Sequence, residues 1–188
     1  MKHFLDVGAN IGQTFDDFLL KTTDFDGAHV WCIEASPRHV PALMEKAKQH
    51  AQRFKVHVCP FGLADKTSIL PFYQKDDERG DSFSRLLGSD KWTENLETGY
   101  ELHIATVSLC EFINFISNEG DEVTIKLDCE GSEYGILADL FMNGVKLAPR
   151  IEAIHLGLHT TEQNCPKNAL PLITGLERMG ITFNKWEY

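Results

Sequence analysis

The chain lacks the cysteine patterns that staple small proteins. Cys32, Cys59, Cys110, Cys129 and Cys165 are odd in number, widely spaced, and form no C-x-x-C pair. A disulfide framework or a thiolate zinc site needs paired spacings, so reduced thiols and no metal are expected. At 188 residues the chain needs neither staple, because a domain of this size buries roughly 70% of the surface its unfolded form exposes. It also lacks any apolar run near the ~20 residues required to span a bilayer. Its start, Met1-Lys2-His3-Phe4-Leu5-Asp6, meets charge before a signal-peptide core could form. A soluble, cytoplasmic protein is expected. Basic residues are in the minority, 18 against 28 acidic ones, for a net charge of −10. Such a surface repels phosphate backbones, and the densest basic stretch, residues 46–55, is a mixed-charge helix face. Nucleic acid is therefore excluded as the main partner, and a cationic ligand is favoured.

What the chain does have is alternation of strand and helix patterns. Phe4 to Val7 is an apolar run ending at Gly8, followed by Ile11, Phe15, Phe18 and Leu19 at helical spacing. His29 to Ile33 is a second strand, after which Ser36 and Pro37 supply a helix N-cap and first-turn proline. Val40, Leu43, Met44 and Ala47 then make one apolar stripe. Val56 to Cys59, Ser68 to Tyr73 and Ile104 to Val107 complete the strands of the first part. Ser108 and Glu111 are spaced as a capping box. Val123 to Leu127 is a strand ending at Asp128, and Gly131 begins a helix packed by Ile136, Leu137, Leu140 and Phe141. Ile151 to Leu158, a helix over 168–179, and Ile181 to Trp186 follow. Helices inserted between apolar strands imply parallel pairing with both sheet faces covered. The fold class is α/β, a doubly wound, mostly parallel, Rossmann-like sheet in a single domain over residues 1–188. Sheets of this kind normally finish with an antiparallel pair, yet one closing strand is legible. Residues 74–103, opening on five consecutive charges at 75–79, are expected to form a loop or lid, in which Tyr73, Phe83, Trp92 and Tyr100 can stack on a ring or anchor the loop.

In such sheets ligands bind beyond the carboxyl ends of the strands. The first end is Asp6-Val7-Gly8-Ala9-Asn10-Ile11-Gly12. Glycines at 8 and 12 allow close backbone approach, and the next helix offers free N–H groups. Asn10 occupies the place where a dinucleotide fingerprint has glycine, and no G-K-[ST] phosphate loop exists. Asp6 repels pyrophosphate but suits ammonium and sulfonium groups. Glu34 ends the second strand, where a carboxylate can accept both ribose hydroxyls. Asp65 follows the third and can bond an adenine amino group. In Lys126-Leu127-Asp128-Cys129-Glu130-Gly131-Ser132-Glu133, strand alternation puts Asp128 and Glu130 on one side with Glu133 one turn beyond. Three converging carboxylates cannot all ionise comfortably, which makes one a candidate base, unless Glu130 and Glu133 merely complement the helix N-terminus. His155 and His159 share a strand face, His159 nearer the ligand end. His155 reads better as a core histidine, and His159 equally as core or as general base.

These blocks resemble the FkbM-type S-adenosylmethionine-dependent methyltransferases: DVGANIG at 6–12, IEASP at 33–37, and IKLDCEGSEYGIL at 125–137, similar to that family's K-x-D-x-E-G-x-E signature. The resemblance implies S-adenosyl-L-methionine as cofactor and methyl transfer to a hydroxyl of a small molecule, sugar, glycan or natural product. It implies that Asp6, Gly8, Asn10 and Gly12 shape the methionine side of the site, that Glu34 holds ribose, that Asp65 lies near adenine, and that Asp128 borders the methyl. Asp128, Glu130 and His159 are the candidate catalytic residues. The chain has Gly157 where that family commonly carries an acidic residue two places before a final histidine. Three other functions share these features: a nicotinamide-dependent oxidoreductase, a non-catalytic adenosyl-binding module, and a metal-assisted transferase using Asp128, Glu130 and a histidine.

Overall fold

The structure is a computed structural model that describes residues 1–75, 99–129, 132–157 and 169–186. Among these, the chain runs β1 (Lys2–Val7), α1 (Gln13–Asp17), β2 (His29–Ile33), α2 (Val40–His50), β3 (Lys55–Cys59), β4 (Gly62–Ala64) and β5 (Ser68–Lys75). It continues through β6 (Gly99–Ser108), α3 (Leu109–Ile116), β7 (Glu122–Leu127), α4 (Glu133–Asn143), β8 (Ile151–Leu156), α5 (Ala169–Arg178) and β9 (Thr182–Lys185).

The apolar runs become a six-stranded sheet in the order β3-β2-β1-β7-β8-β9, every pair parallel. All of β1 beyond Lys2 and all of β7 beyond Glu122 is buried, as helices on both faces require. On one face Phe15 and Leu43 from α1 and α2 pack with Phe4, Val30 and Cys32. On the other, Leu109, Ile113, Ile136, Leu140 and Leu176 from α3, α4 and α5 pack with Leu5, Ile125, Leu127 and Ile154. Each such side chain contributes roughly 1.5–3 kcal/mol by leaving water. The doubly wound α/β class is as the pattern predicts. Chain order runs outward in both directions from β1 and β7, so the switch point lies between them.

Several local expectations are corrected. The first helix stops at Asp17, where Phe18 takes φ −129° and a 3-10 turn over Leu19–Lys21 follows. Ser36 does not cap the second helix. Its N–H goes to Glu34 Oε1 at 2.7 Å, and the helix begins at Val40 with Pro41 in the first turn. Ser108 does accept the Glu111 N–H at 3.3 Å, but its own N–H goes to Thr67 Oγ1 at 3.1 Å, so only half of the capping box forms. The sequence pattern missed β4, which joins β6 in parallel while β5 joins it antiparallel as a second sheet. Pairing of Gln74 with Tyr100 and of Lys75 with Gly99 carries strands into both ends of the expected 74–103 loop; residues 76–98 lie outside the described residues. Among the described residues no antiparallel pair ends the main sheet: α5 crosses over and β9 returns parallel to β8, as a helical crossover dictates.

Cys32, Cys59, Cys110 and Cys129 are free thiols, and Cys165 is outside the described residues. Burial pushes Cys59 up to about 11. Burial, then Asp139, pushes Cys110 up to about 12. Neither is a nucleophile at neutral pH. Among the described residues, no helix is long and apolar enough to cross a membrane.

Candidate functional site

The site is built where β1 and β7 end side by side. Asp6 pairs with Lys126 across the two strands, so both side chains emerge on the same face. Two residues on, by strand alternation, Asp128 follows on that face. The chain then turns away at Gly8, whose φ of +78° belongs to the left-handed region. A Cβ there would lie 1.9 Å from the Asp128 carbonyl oxygen. Gly8 is thus demanded by the approach of the two strand ends to each other as well as by its own backbone. Gly12, with φ +92°, is fitted against α2, where a Cβ would meet Lys46 Cγ at 2.9 Å. Asn10 between them is also left-handed, at φ +51°. The helix that follows has five residues and no side-chain cap at its N-terminus.

Glu34 carries the turn. Its Oε2 accepts the Asn10 N–H and its Oε1 the Ser36 N–H, each at 2.7 Å, and His39 Nδ1 stands 3.7 Å from Oε1. Each carboxylate oxygen keeps acceptor capacity for one further donor. Asp65, exposed just past β4, lies against the first helical turn of α4, where a Cβ on Gly135 would be 3.7 Å from Asp65 Cβ.

Of the carboxylates expected to converge with Asp128, Glu130 lies outside the described residues, and Asp128 itself stands beside a cation. Lys126 Nζ lies 3.1 Å from Asp6 Oδ1 and 3.6 Å from Asp128 Oδ2, and donates to the Gly8 carbonyl at 2.8 Å. Burial works against its charge, but Asp6 and Asp128 outweigh burial and hold the ammonium above its ordinary value. Glu133 turns instead to accept the Cys129 N–H at 2.8 Å, beside the α4 N-terminus. Asp6 is 1% exposed, and its Oδ2 has no hydrogen-bond partner among the described residues. Gly157 lies directly against Asp128: a Cβ would be 2.9 Å from its Cγ and Oδ1, so any side chain there displaces the Asp128 carboxylate.

The structure therefore gathers Asp6, Gly8, Lys126 and Asp128 at the switch point and ties Asn10 to Glu34. Lys126 is the residue that motif reading passed over. Its signal was present: a single cation inside a strand buried on both faces has to find carboxylates. Glu130 and His159, the expected bases, lie outside the described residues. His155 is a packing residue whose ring centroid is 5.1 Å from that of Phe18 and 6.0 Å from that of Trp186, and burial lowers its pKa. Among the described residues, no group of three His, Cys, Asp or Glu side chains is arranged to hold a metal ion.

Fold and side chains together define a doubly wound α/β protein with Asp6, Lys126 and Asp128 clustered at the switch point. Residues 6–166 match the methyltransferase FkbM domain, and the chain belongs to that family of methyltransferases. Among solved structures it is similar to methyltransferase FkbM from Methylobacillus flagellatus KT, with 18% sequence identity and a TM-score of 0.47, covering 82% of this chain and 33% of that one. The present chain thus spans about a third of that protein's length. No curated protein matches it.

Proposed function

We propose that this chain uses S-adenosyl-L-methionine to methylate a hydroxyl on a small molecule, sugar or glycan. The observation that carries the proposal is the set of carboxylates, Asp6, Glu34 and Asp128, held at the ends of three neighbouring strands around the Gly8–Gly12 turn. The buried Asp6 Oδ2, lacking a donor among the described residues, fits a ligand that brings an ammonium. When bound, the cofactor supplies a methyl group already activated by its sulfonium. Asp6, Gly8, Asn10 and Gly12 would form the methionine side of the site, Glu34 would accept the ribose hydroxyls, Asp65 would approach the adenine, and Asp128 would border the methyl.

The protein's own task is alignment of the acceptor oxygen, which can supply roughly 7–11 kcal/mol. Acidic residues favour binding of the cation more than its conversion, because charge disappears as the sulfonium collapses. We assign removal of the hydroxyl proton to His159 or Glu130, worth a factor of about 10²–10⁴. Calorimetry with S-adenosylhomocysteine, followed by transfer of labelled methyl to a panel of hydroxylated acceptors, tests the proposal. Tight binding with transfer supports it. Binding without transfer to any acceptor favours a sensing or scaffolding module, and preference for a nicotinamide dinucleotide overturns it.

A further inference from the structure

We propose that Lys126 is a positioning residue that sets the charge of the cofactor pocket and fastens its glycine turn, an inference that rests on the proposed function. An ammonium has three N–H bonds, and this one has three acceptors near it, two on the Asp6–Gly8 segment and one at Asp128. It hydrogen-bonds the Gly8 carbonyl at 2.8 Å and forms ion pairs with Asp6 Oδ1 at 3.1 Å and Asp128 Oδ2 at 3.6 Å. Lys126 is 3% exposed, and Asp6 and Asp128 are buried with it.

Two carboxylates enclosed together without a countercharge do not both stay ionised, because solvation lost on burial and mutual repulsion act in the same direction. Lys126 supplies that countercharge from within the protein. The trio then carries one net negative charge, fixed before any ligand arrives and matched to a cationic one. The same ammonium prevents the Gly8 carbonyl from turning, so the turn that approaches the ligand is set in place by the residue that sets the charge.

Among the described residues, the neighbouring titratable groups on the adjoining strands do not substitute for it. Cys32, on β2 beside Asp6, is a buried thiol kept protonated chiefly by desolvation. Cys129 follows Asp128, and His155 is the register partner of Lys126 on β8, its ring held neutral by burial. Lys126 is the cation among them.

The test compares wild type, Lys126→Met and Lys126→Met/Asp128→Asn by calorimetry with S-adenosylmethionine and S-adenosylhomocysteine between pH 5.5 and 8, together with thermal unfolding of the ligand-free proteins. In wild type the preference for the sulfonium ligand should be nearly flat with pH. In Lys126→Met one carboxylate takes up a proton in the folded state more readily than in the unfolded chain. Its preference should therefore vary with pH, by at most about tenfold per unit, and its melting deficit against wild type should narrow as pH falls. The double variant removes the repulsion but leaves Asp6 buried without its cation, so its pH dependence should be weaker than that of Lys126→Met without vanishing. A Lys126→Met preference as flat as wild type, with a constant melting deficit, overturns the inference while leaving the proposed function standing. If wild type binds neither ligand, the proposed function fails and the cofactor role of Lys126 fails with it. The pH dependence of ligand-free melting then reports separately whether Lys126 balances the two carboxylates.

Discussion

At the scale of the residue, single atoms decide which substitutions the site tolerates. Gly8→Ala places a Cβ 1.9 Å from the Asp128 carbonyl and demands a left-handed φ of +78°. Clash and backbone strain together should destabilise the fold by about 3 kcal/mol or more, read from urea unfolding. Gly157→Ala meets only the Asp128 side chain, which can swing away. Its melting temperature should stay near wild type while cofactor affinity falls, and a variant binding as tightly as wild type would remove the Asp128 carboxyl from the pocket. Glu34 needs more care than its sequence position suggests. Since it accepts the Asn10 and Ser36 N–H groups at 2.7 Å each, Glu34→Ala leaves two backbone donors without their acceptor. A stability loss of about 1–3 kcal/mol for each donor that water does not reach should accompany weaker binding. Glu34→Gln keeps one carbonyl oxygen, so it should lose less stability and still bind less well. Comparing denaturation midpoints with affinities for the two variants separates the turn-holding role from the ribose role.

At the scale of the element, the strands carry a titratable column on the sheet face opposite Asp6. His3 on β1, His29 on β2 and His57 on β3 line one sheet face with Trp31. Trp31 Nε1 donates to His3 Nδ1 at 3.2 Å, His29 Nδ1 meets His57 Nε2 at 3.1 Å, and the Trp31 ring stacks on His57 with centroids 3.9 Å apart. The His29–His57 bond needs one ring nitrogen to donate and the other to accept, so double protonation breaks it. Burial is the largest cause lowering all three imidazoles from their ordinary 6.5, opposed at His3 and His29 by Asp121. The fold thus holds neutral what the unfolded chain protonates more readily. This stabilisation is complete above about pH 6.5 and is lost as pH falls through the lowered folded values. Melting temperature should decline from pH 7 to pH 5, with a change in Trp31 fluorescence. A His57→Gln variant should decline less steeply, and an equally steep fall would place the acid sensitivity elsewhere.

At the scale of the whole molecule, a net charge of −10 draws a cationic ligand more than a neutral one. Raising ionic strength should therefore weaken S-adenosylmethionine more than S-adenosylhomocysteine, and equal salt slopes in calorimetry would show that the local site alone sets the preference. The doubly wound class, the strand ends bearing Asp6, Glu34 and Asp128, and the membership in the FkbM methyltransferase family were legible without coordinates. Periodicity reports which residues face inward, and the order of strands and helices leaves few ways to wind a parallel sheet. The pattern failed where contact between distant segments decides the outcome. The Ser36 N–H chose the Glu34 carboxylate over capping a helix, β4 and the outer parts of β5 and β6 formed because a partner strand lay alongside, and Gly8 answered to Asp128, 120 positions away in the chain. Amino-acid order by itself determined which faces are buried and which chemistry stands at the strand ends, since those follow from local spacing. Only the tertiary structure decided that Lys126 stands between Asp6 and Asp128, because charge balance in a buried space depends on what packing brings within a few ångströms.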